Sequence, residues 1–358
     1  MLFSKPAFGL DISDSSIEIV SLGGSLAKPR LLAMGRQALE PGIFINGKVF
    51  SKEGLKKSLK GLLENLKFGK LGTRQIVSAL PESKSYLHIF EKPADLGKSE
   101  IPEYAQLKMK ENFPYSPNEL YSDFQIQGNK IILAASPKKV VDDYLEVFRD
   151  CDLEPLALEI ESLSLSRSLL SGGPENVLII DLGARTAGFS VFQAGELGFG
   201  FSLEGAGDQF TQALSGKLGL TWNAAENLKK EVGLDPGFQE GKVFLVLQKE
   251  LQPLVEQVGK ISQFFQDRTG EKIGRIILAG GSSSLPNLPK YLAENFGLPV
   301  EIGDPWVKIS IDLLRRREYL KEALEVNPIL YSTVIGNALR GLEKNPEKAG
   351  LNLLPRSK

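Results

Sequence analysis

Cysteine and histidine are almost missing from this 358-residue chain, which carries Cys151 and His88 and no others of either kind. A single cysteine excludes a disulfide framework and a cysteine-rich metal site. A single histidine removes the usual serine–histidine–aspartate and multi-histidine zinc readings. Excess charge of either sign is lacking too, with 43 basic against 44 acidic residues. A nucleic-acid partner normally shows as a strong basic excess, so none is expected. No apolar run approaches the roughly 18–20 residues of a membrane span. The apolar stretch near Met1 is too short for a signal peptide. These absences lead us to expect a soluble cytoplasmic protein with no membrane span of its own.

What remains is ordinary globular material. The hydrophobic fraction is 42%, enough for a sizeable core, and the length suits about two domains. One pattern occurs twice. Residues 7–20 and 178–191 each read as an apolar strand, an aspartate, a turn of small residues and a second strand. Self-similarity half a chain apart implies two related lobes. The expected division is lobe 1 over 1–172, with a small α+β subdomain inserted at about 83–137. Lobe 2 is expected over 173–345, with a helical insertion at about 206–272 and a C-terminal helix, followed by a tail at 346–358. Ser171, Gly172, Gly173 and Pro174 read as the hinge. Helical spacing of Leu55, Leu59, Leu62, Leu63 and Leu66 predicts a helix over 51–66. Gly128–Asn129 predicts a hairpin turn.

Four segments have the residue types of a nucleotide site. In the first turn, Asp11 ends a strand and can reach a divalent ion, usually through water, while Ser13, Ser15, Ser16 and the turn amides face phosphate oxygens. The same turn read alone is a plain hairpin. In the second, Asp181 is followed by Gly183, Ala184, Arg185 and Thr186, and Gly183 is expected to supply the backbone freedom that a phosphate-facing turn needs. Asp11 and Asp181 together could hold one magnesium ion. The third segment is the apolar strand 276–279 running into Gly280, Gly281 and Ser282, which brings backbone close to a nucleoside or is an ordinary βα loop. The fourth places Glu226 and Lys229 on one helix face. They serve as a carboxylate for ribose hydroxyls and a cation beside adenine, or as a solvated pair.

The order of these segments resembles the actin/Hsp70/sugar-kinase superfamily. Within it the chain resembles the PilM family, the actin-like, FtsA-related proteins of type IV pilus assembly. The matching residues are Phe8–Ile12, Ile180–Thr186, Gly205–Asp208, Leu218–Leu220, Ala224–Lys229, Ala279–Gly281, Leu285–Pro286, Phe296–Val300 and Gly336–Arg340. The resemblance implies an α/β, two-lobed actin-like ATPase fold of duplicated RNase H-like domains, with ATP and magnesium between the lobes. It adds Gly207 to the nucleotide contacts and makes Glu161 the acidic residue that orients attacking water. Two departures stand out. Ser13 replaces the family's glycine, and Glu18 replaces a basic residue, which points to a nucleotide-sensing adaptor more than to an efficient ATPase.

By the same resemblance the partner is a PilN-like inner-membrane protein, whose cytoplasmic tail would hold this chain at the inner face of the membrane. Residues 350–356, Gly-Leu-Asn-Leu-Leu-Pro-Arg, resemble the Asn-Leu-Leu-Pro motif at the N-terminus of PilN, which PilM-like proteins bind in a groove of lobe 1. The segment Leu351–Arg356 could therefore occupy its own groove or that of a second copy. It could equally be disordered or pack at a lobe edge. Competing readings are a superfamily sugar kinase, for which no catalytic aspartate is evident, and an FtsA-like division protein, whose basic membrane helix the ending here is too short to form. Arg315, Arg316 and Arg317, in a helix-like stretch at 311–326, read as a solvated face or a membrane-surface contact.

Overall fold

A computed structural model describes residues 5–310 and 327–355. The chain divides into two compact units. Unit one comprises Met1–Leu170, Phe199–Phe201 and Asp304–Lys358, and unit two comprises Ser171–Gly198 and Ser202–Gly303. The arginine cluster at 315–317 and its expected helix lie outside the described residues.

Unit one opens with β1 (Phe8–Ile12), β2 (Ser16–Ser25) and β3 (Lys28–Ala38), then a small ribbon of β4 (Phe44–Ile45) and β5 (Lys48–Val49). Helix α1 (Lys52–Glu64) starts where the Ser51 hydroxyl accepts from the Gly54 amide, and it buries Leu55, Leu59 and Leu62. That side-chain cap replaces one of the hydrogen bonds a helix start lacks. Then come β6 (Phe68–Gly69), β7 (Gln75–Leu80), β8 (Tyr86–Glu91), α2 (Ile101–Asn112), β9 (Leu120–Gln127), β10 (Lys130–Pro137), α3 (Lys138–Asp150), β11 (Glu154–Ile160) and α4 (Glu161–Leu169). The main sheet runs β11-β7-β1-β2-β3-β6, and a separate three-stranded sheet runs β8-β10-β9. The second sheet closes on α2 through Ile101, Ala105 and Met109, packed with Phe90, Ile131 and Leu133. Its β9–β10 hairpin turns at Gly128, where φ is +57°.

Unit two repeats the arrangement. It holds β12 (Asn176–Leu182), β13 (Thr186–Gln193), β14 (Glu196–Glu204) apart from Phe199–Phe201, α5 (Gly207–Leu218), α6 (Trp222–Val232), α7 (Lys242–Thr269), β15 (Arg275–Ala279), α8 (Leu288–Phe296) and β16 (Val300–Ile302). Its sheet runs β14-β13-β12-β15-β16. In unit one, β1 pairs antiparallel with β2 and parallel with β7, which pairs parallel with β11. In unit two, β12 pairs antiparallel with β13 and parallel with β15, which pairs parallel with β16. The duplication read from two short turns extends through five strands of each sheet.

One boundary differs from expectation. Residues 173–345 do not form one lobe, because Asp304–Lys358 belongs to unit one. The reason is α9 (Ser332–Gly341), whose ten residues are all buried. Its Val334, Ile335, Ala338 and Leu339 pack with Val20, Leu22, Leu31 and Met34, each large side chain contributing about 1.5–3 kcal/mol by burial. Contact is backbone to backbone. A Cβ on Gly9 would lie 2.2 Å from the Val334 carbonyl oxygen, and one on Gly336 would lie 1.9 Å from that of Ser164. Both glycines are therefore required by close approach.

Arg340, at the far end of α9, has a fully buried side chain 2.5 Å from Glu159, which is itself fully buried. Arg167 reaches the same carboxylate at 2.7 Å. Burial would raise the Glu159 carboxyl, but the two guanidinium groups, helped by a hydrogen bond from Ser164, hold it down to about 2. An unfolded glutamate titrates near 4.5, so the folded state binds fewer protons. The stabilisation is complete above about pH 4.5 and is lost as pH falls from there towards 2. In Glu159→Gln, acid unfolding followed by circular dichroism should depend less on pH across that window. Arg340→Ala should cost about 1–3 kcal/mol in urea denaturation, because the Pro346 and Leu351 carbonyls lose their donor and Glu159 keeps Arg167 alone.

Candidate functional site

The two aspartate turns close in the same way. The Ser13 amide donates to the Ser16 carbonyl at 2.9 Å, and the Gly183 amide donates to the Thr186 carbonyl at 3.0 Å. Neither Ser13 nor Gly183 has a positive φ. The backbone freedom expected of Gly183 is therefore not used, and Ser13 occupies the matching place without backbone strain. Its hydroxyl lies 3.1 Å from the Ser16 carbonyl oxygen and accepts from the Ser16 amide at 3.2 Å. Ser15 is exposed at the tip of the turn.

The turns differ opposite the aspartate. Asp11 pairs with Glu18 across the β1–β2 ladder, and Asp181 pairs with Gly188 across β12–β13. Glu18 is buried and accepts a 2.8 Å bond from Arg36 on β3. Arg36 also donates to the Ser16 hydroxyl at 3.0 Å. Burial pushes the Glu18 carboxyl up and Arg36 pulls it back. Glu18 thus points into a local ion pair, and a cation from the neighbouring strand stands beside the first turn. The 28–38 segment, interrupted by Pro29, Arg30, Gly35 and Arg36, has no clear strand pattern in sequence, which hides Arg36 from sequence reasoning.

Asp11 is buried. Burial raises the Tyr144 hydroxyl well above its ordinary range, and the charges of Glu161, Asp11 and Asp14 add to it. Glu161 opens α4 and accepts from the Glu82 amide at 3.2 Å. These acidic groups collect at one end of the unit-one sheet. Among the described residues, no group of three or more His, Cys, Asp or Glu side chains is arranged to hold a metal.

In unit two, four sequence segments meet. Gly280, with φ +77°, lies so close to the first segment that a Cβ would stand 2.3 Å from Asp181 Oδ1. This is the glycine whose conformation the site requires. Ser282 donates to the Gly183 carbonyl at 2.7 Å. The Gly207 amide donates to that same carbonyl at 3.2 Å, and the Asp208 amide donates to Ala184 at 2.7 Å. Arg185 pairs with Asp208 at 3.3 Å. Asp181 sits beneath this loop cluster, and burial pushes its carboxyl up to about 6. A nearby cation would favour its ionised form. The residues of the turn, 181 and 183–186, keep part of their surface open, and Gly281 is exposed. Backbone this close to a carboxylate, with small residues around it, suits a phosphate and its metal.

Four of the expected contacts are engaged within the protein. The Lys229 ammonium donates to Gly207 O at 2.9 Å and Thr211 Oγ1 at 2.8 Å, and stands 2.7 Å from Glu226. A lysine has three donors, so all are taken within the protein and none is left to lie beside an adenine. Glu226 also accepts from Thr211 and Lys230. Burial would raise its carboxyl, but hydrogen bonds from Lys229 and Thr211 hold it down to about 2. Gly207 gives up its amide to the turn, and a Cβ there would stand 2.2 Å from Ser282 Oγ. Glu226, Lys229, Gly207 and Ser282 brace the site from behind.

A second feature lies wholly within unit one. Leu351 and Leu353 are fully buried. The Leu353 amide donates to the Leu158 carbonyl of β11 at 2.7 Å. The Asn352 side chain accepts from the Leu158 amide at 3.1 Å and donates to the Leu156 carbonyl at 3.0 Å. The Asn352 backbone amide donates to the Asp123 carboxylate on β9 at 2.9 Å. A cavity of about 800 Å³ continues beside it, lined in part by Asp123, Gln125, Leu156, Asn352 and Leu354. Strands β9 and β11 are the outer strands of their two sheets.

Residues 9–342 match the family model of the type IV pilus assembly protein PilM. The chain is 24% identical over 230 residues to the cell division protein FtsA of Pseudomonas aeruginosa, a match that covers 57% of this chain and 52% of FtsA. The match thus spans about half the length of that relative. A PilM–PilN type IV pilus biogenesis complex contains a similar chain, with TM-score 0.80 and 24% identity over 94% of this chain and 99% of that one. MreB 5 of Spiroplasma citri, solved with AMPPNP, has TM-score 0.51 and 15% identity over 90% of this chain and 98% of its own. The fold is that of the actin-like ATPases.

Lys229→Met should lower stability by about 1–3 kcal/mol with no nucleotide present, since the Gly207 carbonyl and Thr211 hydroxyl lose a buried donor and Glu226 keeps only Lys230 as a cation. Thermal and urea unfolding of the free protein would check this. Unchanged stability would return Lys229 to the list of ligand contacts.

Proposed function

This chain belongs to the PilM family of type IV pilus assembly proteins, and on that premise we propose that it is a cytoplasmic adaptor. It binds the cytoplasmic tail of a PilN-like inner-membrane protein and carries ATP at its aspartate turns. The observation that carries the partner reading is the groove between β9 and β11. There an extended segment is held by the strand's own main chain, through Leu156 and Leu158, and by Asp123. Adding a peptide along a sheet edge takes most of its affinity from main-chain bonds and its selectivity from side-chain pockets. The PilM–PilN complex among the similar structures supports a partner of that kind. Among the described residues no helix is long and apolar enough to cross a membrane, so attachment is assigned to the partner.

The nucleotide reading rests on the two matched turns and the Gly280 loop. When bound, magnesium neutralises phosphate charge and fixes the phosphate orientation. At each turn the aspartate, Asp11 or Asp181, would reach it through water. The amides of the 181–186 turn and the Ser13–Ser16 turn would face phosphate oxygens, with Arg36 adding a cation at the first. Glu161, anchored on the Glu82 amide, would hold a water.

Two measurements test the reading. Calorimetry should show ATP binding in the presence of magnesium that Asp11→Ala or Asp181→Ala abolishes; binding unaffected by either would remove the nucleotide assignment. A peptide copying the N-terminus of the PilN-like partner should bind, and a peptide copying residues 351–356 should compete with it. Absence of competition would place the partner elsewhere on the surface.

A further inference from the structure

Residues 351–355 have the form of a bound peptide. Leu351 and Leu353 alternate into the protein, while Leu354 is partly covered and Pro355 is exposed. The attachment has two parts of different character. Its root is fixed by Arg340, which donates to the carbonyls of Pro346 and Leu351 while paired with Glu159. Beyond the root, the contacts run to Asp123 and to the main chain of Leu156 and Leu158. Main-chain receivers do not distinguish one chain from another, so any extended segment with an asparagine at this place can use them. The segment makes a single main-chain bond from Leu353 to β11. Beside it the cavity stays open along Asp123, Gln125 and Leu156, and Ile126 on its rim is exposed.

We propose that residues 352–355 are a removable occupant that holds this groove against a partner peptide of matching chemistry, an extended segment with an asparagine set between leucines. The proposal rests on the reading of the groove as the partner's site and adds its regulation. A tethered occupant acts at an effective concentration of about a millimolar. A free peptide making the same contacts at micromolar concentration competes poorly. A partner enters either by making further bonds along β9 and β11 or after the occupant is released. The fixed root at Arg340 keeps the displaced segment close, so the groove refills when the partner leaves.

The experiment uses a fluorescent peptide copying residues 351–358 and two full-length proteins, the native chain and Asn352→Ala/Leu353→Ala. Anisotropy should show the peptide binding at least about tenfold more tightly to the variant. Equal affinity for both proteins would overturn the proposal and leave the groove a peptide site. Binding to neither would overturn the groove reading, and the proposal with it. Thermal unfolding checks that the variant folds; if it does not, Asn352→Ala alone takes its place. Hydrogen exchange on the native chain is independent of any variant. The Leu353 amide should lose protection when saturating peptide is added, and protection retained with peptide bound would overturn the proposal.

Discussion

The Glu159 carboxylate, closed off from water between Arg167 and Arg340, is the interaction on which unit one depends. It lies on β11, and its partners lie on α4 and α9. A helix from 332–341 is thereby fixed to a strand and helix about 180 residues earlier. Arg340 extends the connection to Pro346, Gly350 and Leu351. The groove beside β11 is thus shaped from the same centre that holds the helix under β1. A buried charge pair is a poor source of net stability compared with packed hydrocarbon, but it tolerates few alternatives. Here that intolerance sets where the chain goes after α9.

The fold was legible because both copies of the aspartate turn survive in the sequence, and the longer helices show their apolar spacing. Less was visible wherever the signal was not local. Strand β3 carries Pro29, Arg30 and Arg36 and does not look like a strand until β2 pairs with it. The return of α9 to unit one depends on Gly9 and Gly336, whose meaning is a close contact over hundreds of residues. The Gly336–Arg340 run was noticed only as a resemblance, and the structure gives its cause: backbone approach at Gly336 and charge burial at Arg340.

The site was legible in kind and less so in detail. The residue types at 181–186 and 280–282 belong to segments that the structure brings together in unit two. Sequence could not separate residues that face a ligand from those that hold them in place. Lys229 looks the same on paper whether its ammonium points outward or at Gly207. The weight given to glycine at 183 belongs to Gly280. The asymmetry between the turns also has a local cause: Glu18 and Gly188 occupy the same ladder position opposite their aspartates, and Arg36 accompanies the glutamate.

The placement of α9 also orders events during synthesis. Unit two draws on Ser171–Gly198 and Ser202–Gly303, all translated before residue 332. Unit one needs both ends of the chain. A ribosome that has exposed only residues 1–331 has released the second unit whole, while β1 and β2 still lack the helix that covers them. Unit one is therefore completed after unit two, and its apolar sheet face stays open until residues 332–341 have emerged.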